Sequence, residues 1–140
     1  MPTMPYLHFR GDCAEAMAFY ETVFDGTKLQ MMRYGEGPGA PEAWKHSPRV
    51  MHSQLTIGDG TLMASDYPPG IEGDAQAGVS VMQSAPDVAT ARHIFDRLAD
   101  GGGVIDGFRP TFFSPGFGMV KDRFGTHWII PAMPDHGEPA

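Results

Sequence analysis

The feature that most constrains this chain is a strand-then-helix pattern that occurs twice. Cys13, Met17, Tyr20 and Phe24 are spaced four, three and four residues apart, one stripe of a helix, directly behind an extended stretch at residues 4–10. Val88, Ala91, Phe95 and Leu98 repeat the stripe at three, four and three, behind a short strand at residues 79–84. An offset of 75 lays Phe19-Tyr20 on Ile94-Phe95 and Gly26 on Gly101. Each half then closes with a turn signal and an apolar run. Ile57-Gly58-Asp59-Gly60-Thr61 leads into Leu62-Met63-Ala64, and Asp122-Arg123-Phe124-Gly125-Thr126 leads into Trp128-Ile129-Ile130, so each half ends in a hairpin.

These signals predict an α+β fold of two βαβββ modules, with curved mixed sheets around a cleft. Module one covers about 4–67, a linker 68–76, module two about 77–132, and 133–140 is a flexible tail; 1–132 form a single domain. Asp12 is the expected N-cap of the first helix with Glu15 three residues on, and Asp25-Gly26 supplies a C′ glycine. From helix-ending glycine to hairpin glycine the first module runs 34 residues and the second 24. The extra residues fall in a glycine- and proline-rich stretch at 35–48 that carries Trp44. Each helix is expected to cover one sheet face, leaving the other for a ligand.

Composition narrows the partners. Of 140 residues, 41% are apolar and 19% charged, which suits a packed core. Ten Lys and Arg against 17 Asp and Glu leave a net charge of −7 with no basic run, which argues against nucleic acid. Cys13 is the only cysteine, so bridges within the chain and paired-cysteine zinc sites are excluded. No apolar run approaches the roughly 20 residues of a membrane-spanning helix, and the first residues lack a signal-peptide pattern. A cytoplasmic protein without a membrane partner is expected.

Several strings carry a family resemblance: Pro5-Tyr6-Leu7 with Gly11-Asp12-Cys13-Ala14-Glu15-Ala16, Met32-Arg33-Tyr34-Gly35, Val50-Met51-His52, Met63-Ala64-Ser65-Asp66, and Phe117-Gly118-Met119-Val120-Lys121-Asp122-Arg123-Phe124-Gly125. On these the chain resembles the PhnB-like branch of the vicinal-oxygen-chelate (glyoxalase/bleomycin-resistance/dioxygenase) superfamily. That branch is also labelled as similar to 3-demethylubiquinone-9 3-methyltransferase. The resemblance implies a small-molecule ligand and a homodimer. It does not bring methyl transfer with it, because the chain lacks the glycine-rich strand-to-helix turn and following acidic residue of doubly wound cofactor sites.

Superfamily enzymes hold a divalent metal through the first and last strands of each module. Aligned by that pattern, the ligand positions fall on Pro5, Ala64, Ser80 and Ile129, of which only serine offers even a poor ligand. No metal and no cofactor is therefore expected, with His8, His52 and His127 the residues a displaced site would use.

The remaining candidates come from strand alternation and loops. His52, Gln54 and Thr56 share one strand face, opposite Met51, Ser53, Leu55 and Ile57. His52 is the candidate acid/base, since imidazole titrates near working pH; its plainer reading is a solvated face or a dimer seam. Asp66 alternates onto the same side as Ala64 and is the candidate partner of His52; its plainer reading is a turn carboxylate satisfying backbone amides. Gln54, Ser65, Phe112, Phe113, Met119, Trp128 and Trp44 are candidate substrate-binding residues. Most of the aromatic and sulfur residues among these are expected to be core; Trp44 differs and reads as part of a lid or a dimer contact. Pro110-Thr111-Phe112-Phe113 stands where the family often has Glu-Thr-Phe-Trp, losing a carboxylate and an indole nitrogen. Cys13 lies on the apolar stripe and reads as packing. Three functions stay open: a small-molecule-binding protein with metal-independent chemistry, a non-catalytic sequestering protein, and a metal-dependent enzyme with displaced ligands.

Overall fold

The computed structural model describes residues 2–134. They divide into two compact units at Gln76/Ala77. Residues 135–140, most of the expected tail, lie outside the described residues; Met133 is tied down, its N–H donating to the Ala85 carbonyl at 2.8 Å.

Unit one contains β1 (Tyr6–Phe9), α1 (Cys13–Val23), β2 (Thr27–Arg33), two 3-10 turns at Tyr34–Glu36 and Glu42–Trp44, β3 (Val50–Ile57) and β4 (Gly60–Asp66). Its sheet order is β1-β4-β3-β2, with β1 parallel to β4 and the other pairs antiparallel. Unit two repeats this with β5 (Ser80–Met82), α2 (Val88–Ala99), β6 (Gly103–Arg109), β7 (Phe117–Lys121) and β8 (His127–Pro131), in the order β5-β8-β7-β6. The doubled βαβββ topology, with two four-stranded mixed sheets, is the expected one.

In each unit the helix buries its stripe against one sheet face. Cys13, Met17 and Tyr20 of α1 are fully buried, as are Leu55 and Ala64 on the strands beneath them. Ala91 and Leu98 of α2 are buried with Val120, Trp128 and Ile130 in the second unit. Each large apolar side chain fully buried this way contributes about 1.5–3 kcal/mol.

The two helix ends of α1 depart from expectation. Asp12 makes no side-chain cap; the first amides are met by Asp66, from the end of β4. At the other end Asp25, not Gly26, takes the left-handed conformation, at φ +52°. Gly26 donates back to the Glu21 carbonyl at 2.9 Å, closing a Schellman turn. Glycine is required there for space, since a Cβ would stand 2.8 Å from a Leu55 methyl. The α2 helix follows the simpler rule: Asp87 caps its own helix by accepting from the Thr90 N–H at 2.7 Å, and Gly101 is left-handed at φ +75°. No helix among the described residues is long and apolar enough to cross a membrane.

Candidate functional site

With α1 covering one face of the first sheet, the register identifies the residues of its open face. One row crosses all four strands as Tyr6, Met63, Gln54 and Gln30; the next pairs His8 with Ser65 and His52 with Met32. Leu7 and Phe9 alternate to the covered side and are buried.

The polar groups of this face are joined to one another. The Tyr6 hydroxyl lies 3.0 Å from His52 Nδ1, and His52 Nε2 lies 3.3 Å from Gln54 Oε1. These contacts are mutually consistent in one neutral tautomer: Nε2–H donates to the amide oxygen and Nδ1 accepts from the phenol. Both imidazole nitrogens are thus engaged, and the more exposed end of the relay is Tyr6, at 42%. Beside it, His8 Nδ1 is 3.5 Å from the Ser65 hydroxyl, and the His8 ring stacks on Tyr67 with centroids 5.2 Å apart. Of the sequence candidates, His52, Gln54 and Ser65 share this face. Tyr6, His8 and Tyr67 belong beside them and were not assigned to it. The available signal was the apolar alternation of Leu7 and Phe9, which sends Tyr6 and His8 to the opposite side.

Asp66 is not part of this face. It does share a side with Ala64, but that side is covered by α1, and Asp66 is 1% exposed. Its Oδ1 accepts from Gly11 N–H at 2.7 Å and Cys13 N–H at 3.0 Å, and its Oδ2 from Val50 N–H at 2.8 Å. The plainer reading, a carboxylate serving backbone amides, is the one realised, with amides from the β1–α1 turn and β3 instead of the turn that follows. Next to it the Cys13 thiol meets the Ser53 hydroxyl at 3.5 Å. Burial, reinforced by nearby Asp66 and opposed by the Ser53 hydrogen bond, pushes that thiol up to about 12, so it packs as a protonated side chain.

Trp44 stands edge-on to Tyr34, centroids 5.0 Å apart, and the Tyr34 hydroxyl donates to the Asp66 carbonyl at 2.7 Å. The 35–48 stretch is seated closely on its own module: a Cβ at Gly35 would meet the Lys45 carbonyl oxygen at 2.5 Å.

The open face of the second sheet has a different character. Its central row runs Met82, Ile129, Met119 and Asp106, and its end row Ser80, His127 and Lys121. Met119 lies on this face. Trp128 does not, and its candidacy as a ligand-lining residue is corrected: it is fully buried on the α2 side, with its indole N–H donating to Asp122 Oδ2 at 2.8 Å. Phe112 and Phe113 occupy the β6–β7 loop, where Phe112 is 95% exposed and Phe113 packs edge-on between Phe112 and Phe117. The Thr111 hydroxyl organises that loop by accepting from the Phe113 and Ser114 N–H groups.

The fold implies a divalent metal site on first and last strands, and the donor set can be tested for fit. Ala64 is buried on the covered side; the open-face residues of β1 and β4 include His8 and Ser65 beside Tyr6 and Met63, and those of β5 and β8 include Ser80 and His127. One imidazole per module beside hydroxyls, with no carboxylate on the open side of these strands, does not fit a first-row divalent ion. Among the described residues no three His, Cys, Asp or Glu side chains gather as a metal-holding group.

Comparison with known proteins agrees with this architecture. The profile of the family described as 3-demethylubiquinone-9 3-methyltransferase matches residues 2–131. Protein YjdN of Escherichia coli (strain K12) is 30% identical over 139 residues, covering 93% of this chain and 94% of its own. The crystal structure of PA1353 from Pseudomonas aeruginosa superposes with a TM-score of 0.86 at 34% identity, over 96% of this chain and 99% of that one. A Bacillus cereus structure described as a 3-demethylubiquinone-9 3-methyltransferase, PhnB protein, shares the fold with a TM-score of 0.77 at 24% identity, over 95% and 100%. The fold is that of glyoxalase/bleomycin-resistance/dioxygenase domains.

Proposed function

This chain belongs to the 3-demethylubiquinone-9 3-methyltransferase family, the PhnB-like branch of the vicinal-oxygen-chelate superfamily, and from that premise we propose that it binds a small, partly apolar metabolite on the open face of its first sheet and exchanges a proton with it through Tyr6 and His52 without a metal. The observation that carries this reading is the Tyr6–His52–Gln54 chain of hydrogen bonds on an uncovered face. A ligand hydroxyl seated against the Tyr6 oxygen gives its proton to that oxygen as Tyr6 passes its own to His52 Nδ1; the reverse step returns it. Gln54 holds the imidazole in the receiving tautomer and so acts as a positioning residue.

The family's methyltransferase description finds no support at the N-terminus of α1. In nucleotide-binding folds the first strand-to-helix turn presents free amides to a phosphate. Here the Gly11 and Cys13 amides are already taken by the Asp66 carboxylate.

A second reading, sequestration without turnover, is favoured by the engagement of both His52 nitrogens within the protein. Native mass spectrometry of protein taken from cell extract tests the binding claim: the expected result is a retained small molecule that the Tyr6→Leu variant loses. His52→Ala separates the two readings. Conversion of the recovered ligand by wild type and not by His52→Ala supports proton transfer. Equal ligand retention by both, with no conversion by either, supports sequestration. Retention unaffected by Tyr6→Leu and His52→Ala alike overturns both.

A further inference from the structure

The open face of the first sheet ends beside two arginines. One step past the Phe9–Asp66 pair, Arg10 keeps the alternation of Tyr6 and His8 and is exposed, with Tyr67 opposite; the Tyr67 N–H donates to the Phe9 carbonyl at 2.9 Å. Arg49, half-buried just before β3, reaches the same end of the sheet. Its Nη1 donates to the carbonyls of Tyr67 at 3.0 Å, Pro68 at 3.4 Å and Ile71 at 3.1 Å, and its Nη2 to that of Arg10 at 3.3 Å. The Tyr67 ring stacks on His8, and Gly73 backs it so closely that a Cβ there would stand 2.2 Å from the ring carbons. A guanidinium is thereby fixed beside the rings of the face.

In a chain of net charge −7, no ion pair among the described residues reaches either guanidinium. Asp66, at the same strand end, uses both carboxylate oxygens on backbone amides, and the exposed Asp12, Glu72 and Asp74 pair with neither arginine. Four carbonyls hold Arg49 in place but bring no negative charge. Its Nε–H has no hydrogen-bond partner among the described residues and is reached by solvent. The entropy of ordering this long side chain is therefore already lost before a ligand arrives. An anionic group gains a charge-assisted hydrogen bond from that Nε–H and a second positive charge from Arg10, whereas a neutral amide gains no charge compensation and an ammonium is repelled by both. Resting on the reading that this face is the binding site, we infer that Arg10 and Arg49 form an anion subsite at its Tyr67 end, and that the ligand is a small organic acid whose apolar body lies over the Tyr67, His8 and Tyr6 rings.

Three probes that share one ring and differ in charge test this: 4-methylbenzoate, 4-methylbenzamide and 4-methylbenzylammonium. Titrations followed by the ring carbon–proton NMR signals of His8 and His52 and the Nε–H signal of Arg49 give affinity and location together. The benzoate should bind at least about tenfold tighter than the amide, the ammonium should bind weakest, and about 0.5 M salt should narrow the gap. Arg10→Gln, whose native side chain makes no hydrogen bond among the described residues, should weaken the benzoate several-fold and leave the amide unchanged. Arg49→Gln should do the same by a larger factor; if it displaces Tyr67, the His8 signals of the free protein report it and Arg10→Gln decides. Equal or tighter binding of the amide or the ammonium overturns the inference, as do equal losses of benzoate and amide in Arg10→Gln and the absence of shifts with all three probes. The subsite and the face fail separately. A retained cellular ligand that has no acidic group and moves His8 and His52 sinks the subsite and keeps the face; a benzoate that moves the Arg49 Nε–H and neither histidine keeps the anion contact and sinks the face.

Discussion

The two sheets have the same strand order, the same helix-covered side and the same hairpin ending, yet their open faces are built from different chemistry. On the first, Tyr6, His52 and Gln54 form one hydrogen-bonded chain and His8 and Ser65 a second pair. On the second, Met82, Ile129 and Met119 form an apolar centre, with Ser80, His127 and Lys121 along one end. His127 Nδ1 is buried there without a hydrogen-bond partner among the described residues. Topology therefore sets which residues face outward, and the residue types then differ: a hydrogen-bonded, ring-bearing surface in one module, and in the other a Met and Ile centre edged by Asp106, His127 and Lys121. The covered sides differ as well. The α1 helix borrows its cap from Asp66 on a distant strand, while α2 carries Asp87 as its own.

The largest expected effect breaks the covered side of module one. Asp66→Ala strands three amides around a buried site and should lower unfolding free energy by on the order of 4 kcal/mol in urea titrations. Asp122→Ala removes the acceptor for the Phe124 and Thr126 amides and the Trp128 indole in module two, and should cost about 3 kcal/mol, with a shift in tryptophan fluorescence. A loss under 1 kcal/mol at either position would show that water replaces the carboxylate.

Cys13 gives an alkaline test confined to module one. Its thiol is pushed from 9.0 up to about 12 on folding, so above pH 9 the unfolded chain loses a proton that the folded chain keeps. Stability from this group is complete below pH 9 and declines by about 1.4 kcal/mol per pH unit from there toward pH 12. The difference between wild type and Cys13→Ala across that window isolates it, and parallel pH profiles would contradict it.

Tyr6→Phe and His52→Ala sharpen the contrast between stability and binding. Both residues lie on an uncovered face, so unfolding free energy should move by less than about 0.5 kcal/mol while ligand retention by Tyr6→Phe and ligand conversion by His52→Ala fall. The smallest effect is at Asp87, whose carboxyl is held below its usual range by the Thr90 amide; Asp87→Ala should lower stability less than either buried aspartate.

The fold was legible because helix stripes, strand alternation and turn glycines all agree in this chain. His52 and Gln54 were legible for the same reason, as polar residues on one side of an alternating strand. Which side of β1 and β4 lies open follows from the buried pair Leu7 and Phe9, and differs from the side that the family resemblance implies through Ala64. One residue of phase exchanges the faces of a strand, which puts Tyr6 and His8 on the open side and Asp66 on the covered one. The partners of Asp66 are backbone amides at 11, 13 and 50, and no residue-type pattern marks an amide that needs an acceptor. The same holds for Gly26, whose role is set by the approach of Leu55.

The central claim is that the open face of module one, and not that of module two, holds the ligand. The most direct measurement is an NMR titration of the protein with the molecule recovered from cell extract, following the His8 and His52 rings together with the Met82 and Met119 methyl groups. The account predicts saturable shifts at His8 and His52 that Tyr6→Leu abolishes. Saturable shifts at Met82 and Met119, with both histidines unmoved, would contradict it.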